Sequence, residues 1–359
     1  MGRARKDGDP LGLAGTRLSF KHGAFYYRHR DGRWEHVGTD VKVAKERATL
    51  YNDPEGVFGT TGYWLDQFIV DCAARVKAKT LAVRTLADYT HNVVPLKAFF
   101  GSMLPEHIQP LHVQQYLDIG AEAGRPVRAN REKACLSACF SWLIRTGKTT
   151  ALVNPCMQKS GTKGNPEAKR ERYVTNEEYM AVYDASGPQV RMLMELTYRT
   201  LQRPESDLLH WTPAVLSRDA HTKQRVLSFV QSKTGQRVKI ALTERLELLV
   251  MRAMGPVPHI DQTLVHNRHG EAYTYTGITS MLTKAIAKVN AARKAKGLQK
   301  FDSFGFRDLK GKGATDMWMA GVPIEQIQLL CGHADKSTTE KYIKARWSAT
   351  AQPNEVSIG

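Results

Sequence analysis

Apolar residues change their spacing several times along this chain, and each change marks an element. Across Ala24 to Gly38 (AFYYRHR-DG-RWEHVG) they alternate with polar residues on either side of Asp31-Gly32. Two alternating runs around Asp-Gly predict a β-hairpin. Tyr26, Arg28 and Arg30 then share one face, and Tyr27 and His29 the other. Thr39-Asp40 offers an N-cap to a helix over VKVAKERATLYND. Residues 1–20, glycine-rich and charged without a period, read as a loose basic lead-in.

From Thr60 to Leu152 the apolar positions return at helical spacing. Tyr63-Trp64, Phe68-Ile69 and Cys72 outline one helix. Leu81 to Phe100 outlines a second, stopped by Gly101. Pro110 opens a third, and a fourth runs from Val127 to Thr146, where Gly147 ends it. Four helices with short connections predict a bundle.

The period is lost over 156–172, CMQKSGTKGNPEAKRER, which reads as a linker. Its Lys159, Lys163, Lys169, Arg170 and Arg172 are either phosphate contacts or the solvated charges of a plain spacer. Thr175 with Glu178 then forms a capping box, and Val190 to Leu201 a second helix. Three alternating runs follow (AVLSRD, QRVLSFVQ, RVKIAL), with Ser232-Lys233-Thr234-Gly235 as the turn between the last two. A helix over Thr243–Met254, a short strand over Thr263–Val265 and a long helix over Thr276–Lys294 come next. Two glycines, Gly311 and Gly313, sit in the helix after that, where they weaken it unless something approaches closely. Residues 349–359 carry no pattern.

The expected fold is therefore mainly α with small β-sheets (α+β). Its parts are an N-terminal hairpin-plus-helix module (1–55), a helical bundle (56–155), a basic linker (156–172), a mixed domain (173–348) and a C-terminal tail (349–359).

Composition narrows the function. A chain of 359 residues with 42% apolar content folds into several domains with proper cores. Its formal charge of +17 calls for a polyanionic partner, and nucleic acid fits better than a membrane, because no apolar run is long enough to span one. Lys77, Lys79, Arg84, Arg128, Arg131 and Lys133 on the bundle are candidate phosphate contacts. The N-terminus has no apolar run behind its charges, so no signal peptide is expected. The five cysteines form no Cys-x-x-Cys pair, which points to a reducing compartment without structural zinc.

The chemistry gathers in Phe304–Lys344. Arg307 and Lys310 lie three apart on one helical face, Cys331-Gly332-His333 ends the next helix, and Tyr342 follows. Attack by a tyrosine on a phosphodiester needs cations on the nonbridging oxygens, a hydrogen-bonding imidazole and a phenolate. Ala314-Thr315, Gly321-Val322, Gly332-His333, Thr338-Thr339 and Tyr342 occur in the order and spacing that resemble the C-terminal signature of the tyrosine recombinase (phage integrase) family. Two positions depart from it: Arg307 stands where the family usually has His, and Lys310 where it usually has Arg. An ammonium is a point charge and cannot grip two oxygens as a guanidinium does. Either Lys310 serves as a cation beside Arg307, or Lys312 assists, or the site is decayed.

That resemblance has further implications. The run TLQRPESDLLHW places Arg203 at the family's first catalytic arginine, with Glu205 or Asp207 as its acidic partner. The Lys-Thr-Gly turn makes Lys233 the general acid for the leaving 5′ oxygen. Ile108 to Leu117 and Asn154-Pro155 resemble the family's helical core-binding domain, and the N-terminal hairpin resembles its arm-site-binding modules. The implied activity is site-specific recombination of double-stranded DNA through a 3′-phosphotyrosyl link, for integration and excision of mobile DNA, with no metal or other cofactor. The implied assembly is a homotetramer on two duplexes, with accessory DNA-bending proteins as candidate partners, in the cytoplasm of a bacterium or phage-infected host. Alternatives are a nicking-closing enzyme like the type IB topoisomerases, and a DNA-binding protein with a decayed site.

Overall fold

The computed structural model describes residues 9–29, 32–53, 56–168, 171–255 and 259–344. The chain divides into two compact units, Met1–Ala168 and Lys169–Gly359. The fold is mainly helical, with a small antiparallel sheet in each unit.

The first unit opens with strands β1 (Leu18–Lys21), β2 (Ala24–Arg28) and β3 (Trp34–Gly38), paired antiparallel in that order. Strand β1 lies in the stretch expected to be a loose lead-in. Leu13 and Leu18 are buried there with Phe25, Tyr27 and Val37, so apolar burial orders residues that show no period. The β2–β3 pairing agrees with the expected hairpin, although Arg30 and Asp31 lie outside the described residues. Helix α1 (Val41–Asn52) closes this core with Ala44 and Ala48, and the Asp40 carboxylate caps it by accepting from the Lys42 and Val43 amides. On the outer face the Lys21 ammonium sits 4.5 Å from the Trp34 ring centre.

Helices α2 (Thr61–Lys77), α3 (Val83–Phe100), α4 (Pro110–Glu122) and α5 (Pro126–Arg145) enclose a second core of Leu65, Phe68, Leu96, Phe100, Leu136 and Phe140. The one carboxylate buried in it among the described residues, Glu132, is satisfied by the Tyr116 hydroxyl and by Arg125 and Arg128. Residues 156–168 stay on this unit. Cys156 is part of the core, the Lys163 amide donates to Gln114, and Asn165 bonds Asn130 and the Leu117 carbonyl.

The second unit begins with α6 (Asn176–Ala185), entered through the reciprocal Thr175–Glu178 capping box, and α7 (Pro188–Thr200). Strands β4 (Leu216–Arg218), β5 (Arg225–Val230) and β6 (Arg237–Ala241) form its antiparallel sheet. Helices α8 (Glu244–Met254), α9 (Tyr275–Ala295), α10 (Phe306–Met319), α11 (Ile324–Cys331) and α12 (Lys336–Lys344) complete it. The strand expected over Thr263–Val265 does not form. Leu264 and Val265 are buried, but the Leu264 amide donates to the Trp211 carbonyl, and the nearby bridge is His266 with Ala272.

Helix α10 is buried on nearly every side, from Phe306 through Thr315. It is pressed against the end of α7 so closely that a side-chain carbon on Gly313 would meet the Tyr198 carbonyl oxygen at 2.2 Å. The expected close approach is thus made, at Gly313, by the protein's own backbone. A polar cluster holds the same helix from another side. The Lys312 ammonium donates to Asn176 (2.6 Å) and Asp316 (2.9 Å), while the Tyr173 and Tyr198 hydroxyls donate to the Asp316 carboxylate.

Candidate active site

Arg203 follows α7 after Leu201, whose backbone is left-handed at φ +52°. The chain turns tightly there, the Asp207 and Leu208 amides both donating to the Arg203 carbonyl. This turn brings Asp207 back against Arg203, with 3.7 Å between carboxylate and guanidinium. Asp207 is the acidic partner left open between two candidates; Glu205 instead pairs with Arg307 at 3.0 Å. The other Asp207 oxygen accepts from the Ser232 amide, and the Ser232 hydroxyl donates to the Ser206 carbonyl. The arginine turn is therefore bonded to the β5–β6 hairpin, whose exposed tip carries Lys233. Gly235, at φ +67°, closes that tip.

Lys310 lies on α10 with its side chain inside the protein, 6% of the residue exposed. Burial pushes its pKa below the usual lysine range; Cys331 and Asp207 act against that shift and the Arg203 charge adds to it. Among the described residues no hydrogen-bond or ion-pair partner holds its ammonium, in contrast to Lys312 two positions on, which is fully engaged in the Asp316 cluster. Lys312 is thus engaged in the packing of α10. Arg307 is largely exposed at the start of the same helix.

Helix α11 ends at Gly332, left-handed at φ +64°, and delivers His333. Its Nδ1 shares a 3.0 Å hydrogen bond with the hydroxyl of Thr339, a fully buried residue of α12. Burial first, then the Lys310 and Arg203 charges, lower the His333 pKa to about 4, so the ring is neutral at pH 7. Arg203, Lys310 and His333 therefore share one electrostatic neighbourhood. Tyr342 belongs to α12, one turn beyond Thr339; its side chain lies outside the described residues.

Two residues of this site escaped the sequence reading. Gln231 and Gln202, both fully buried, share a 2.7 Å bond, and Gln231 also accepts from Arg203. Strand parity carries the signal: Gln231 falls on the same face as the buried Leu227, so an amide was bound to point inward and need partners.

The bundle candidates are mixed. Lys77, Lys79 and Lys163 are exposed. Arg84 pairs with Asp88, Arg128 with the buried Glu132, and Arg131 with Glu167. Lys133 is half-buried, and Lys169 and Arg170 lie outside the described residues.

Two cations beside a neutral imidazole, followed by a helix bearing a tyrosine, are groups able to stabilise and attack a phosphodiester. The profile of the Phage integrase family matches residues 172–348. The chain carries, over those residues, a domain of the tyrosine recombinase (phage integrase) family. It is 24% identical to tyrosine recombinase XerC of Listeria welshimeri over 280 residues, covering 74% of this chain and 88% of that one. A lambda integrase tetramer bound to a Holliday junction is similar in fold, with TM-score 0.65, 20% identity and coverage of 97% and 99% of the two chains. So is the Tn1549 transposon integrase (residues 82–397) in complex with circular intermediate DNA, with TM-score 0.61, 15% identity and coverage of 81% and 96%. No helix among the described residues is long and apolar enough to cross a membrane.

Proposed function

We propose that this recombinase cuts and rejoins double-stranded DNA at specific sites through Tyr342, for integration and excision of mobile DNA. The observation that carries the reading is the shared neighbourhood of Arg203, Lys310 and His333, with Tyr342 on the helix whose Thr339 bonds His333. In the first transesterification the Tyr342 phenolate, its proton lost to solvent, forms a bond to phosphorus and the bond to the 5′ oxygen breaks. Lys233, at the exposed hairpin tip, gives that oxygen its proton. In the second, the 5′-hydroxyl of a partner strand gives its proton to the neutral Lys233, attacks phosphorus and releases the Tyr342 phenolate. The charge that develops on the equatorial oxygens is met by Arg203 and Lys310, with a hydrogen bond from neutral His333 and long-range help from Arg307. The bond energy stays in the phosphotyrosine, so the cycle balances without an external energy source.

In this reading the N-terminal module (1–55) binds arm-type DNA through its exposed Lys21, Arg28 and Trp34. The bundle contributes phosphate contacts through Lys77, Lys79 and Lys163. The working assembly is a homotetramer on two duplexes in the cytoplasm of a bacterium or phage-infected host, with DNA-bending proteins as candidate accessories. Covalent trapping tests it. The protein is incubated with nicked duplexes carrying the DNA that flanks its gene, and an SDS-resistant adduct is sought. The native chain is expected to form one and Tyr342→Phe none. Adduct formation by Tyr342→Phe would overturn the assignment of the nucleophile. Strand exchange between two duplexes separates a recombinase from a nicking-closing enzyme.

A further inference from the structure

Gln231 has a fully buried side chain whose amide uses all its hydrogen-bonding capacity. The nitrogen donates to Gln202 Oε1 (2.7 Å) and to the Cys331 carbonyl (2.9 Å). The oxygen accepts from Arg203 Nη1 (3.2 Å) and from the Thr234 hydroxyl (2.7 Å). Gln202 is in turn fixed, its nitrogen donating to the Thr200 and Leu330 carbonyls. Every donor of both amides is spoken for, so neither can flip without breaking bonds.

The four partners of Gln231 come from three parts of the site. Arg203 is the guanidinium itself, Thr234 follows Lys233 in the hairpin tip, and Cys331 stands two residues before His333. Gly332 is moulded to the same amide: a side-chain carbon there would lie 2.5 Å from Gln231 Nε2. A contact made only for packing would be served by an apolar side chain of similar length, with no need for four directional bonds.

We infer that Gln231 is a positioning residue for strand cleavage, aligning Arg203, the Lys233 hairpin and the His333 turn around one phosphate. Fully buried, it acts through the groups it holds. Its effect is on the geometry of the chemical step, and not on how tightly the duplex is held by the many other cations of the chain. The inference rests on the assignment of Arg203, Lys233 and His333 given above.

The test compares the full-length native chain with Gln231→Met, which keeps the length and volume, and Gln231→Glu, which keeps the two acceptor bonds and loses the two donors. Three quantities are measured: thermal unfolding, the Kd for the nicked flanking-DNA duplex, and the single-turnover rate of adduct formation. Both variants are expected to form the adduct on the order of 100-fold more slowly while Kd stays within about threefold. A rate within about threefold of the native chain overturns the inference, and so does a loss of rate matched by an equal loss of affinity. Should burial make both variants unfold, Thr234→Val decides, because it removes one bond at an exposed turn; about tenfold slower cleavage with unchanged Kd is expected, and an unchanged rate overturns the inference. Arg203→Ala and Tyr342→Phe run alongside. If they leave the adduct intact, the site assignment itself fails; if they abolish it while Gln231 variants cleave normally, only the positioning role fails.

Discussion

The carboxylate of Asp207 lies 3.7 Å from the guanidinium of Arg203 and holds the hairpin amide of Ser232 with its other oxygen. One buried acid thus sets both the arginine and the strand turn that carries Lys233. Asp207→Asn keeps an acceptor for Ser232 but loses the ion pair, and about tenfold slower adduct formation is expected. Asp207→Ala also strands the Ser232 amide and costs about 1–3 kcal/mol of stability. Denaturant unfolding and single-turnover cleavage, measured on both variants, separate the two effects. Equal cleavage by Asp207→Asn and the native chain would count against the role of the ion pair.

Glu205 works in the opposite sense. Its carboxylate pairs with Arg307 at the surface, where a DNA phosphate would compete for the same guanidinium. Glu205→Gln removes that competitor. Exposed pairs contribute about 0–1 kcal/mol, so duplex affinity should rise by up to about fivefold, with the gain shrinking as salt is raised. Fluorescence anisotropy across a salt series checks this; weaker binding by the variant would contradict it.

Lys310 makes the site sensitive to alkali. Burial holds its pKa below the usual lysine range, so the ammonium is lost as pH rises through that lowered value. Cleavage by the native chain should fall on the alkaline side, whereas Lys310→Arg retains its charge and extends the plateau. The linked stability has a definite sign. The unfolded lysine, with a pKa of about 10.4, keeps its proton longer than the folded one, so the penalty of burying the charge is present in full at neutral pH and is relieved as pH rises between the two values. Lys310→Met should therefore unfold at higher temperature, by about 1–4 kcal/mol of stability, while losing cleavage. Calorimetry together with adduct formation reads both.

Lys312 should show the reverse profile. Its ammonium satisfies Asn176 and the Asp316 carboxylate inside the unit. Lys312→Met is expected to cost about 3 kcal/mol, because it leaves Asp316 without its cation. Cleavage per folded molecule should remain near that of the native chain. A stable, inactive Lys312→Met would show that the lysine serves the chemistry after all.

Where burial is one-sided, the sequence could be read. The bundle helices show their core stripes, and Asp31-Gly32 separates two strands that pair. Helix α10 resists such reading because it is buried from Phe306 to Thr315 almost without a break, so no polar face tells Lys310 from Lys312. Only the packing of Tyr173, Asn176 and Asp316 around one of them makes the difference. Asp207 was hidden for another reason: a tight turn, and not a helical repeat, chooses which of two neighbouring acids faces Arg203. Strand β1 and the unformed strand at 263–265 fail in opposite directions, one lacking a period where a partner strand exists, the other having apolar residues where none does.

The Gln231 amide also has a bearing on the order of folding. It joins positions 28 and 100 residues away along the chain. Closures of that span come after the local helices and turns, since the chain entropy must be spent before the bonds form. A nascent or half-refolded molecule can therefore own most of its helices and still lack an aligned cleavage site. Such a molecule would bind DNA through its charge without cutting it. In refolding experiments, helical circular dichroism should recover before the ability to form the covalent adduct.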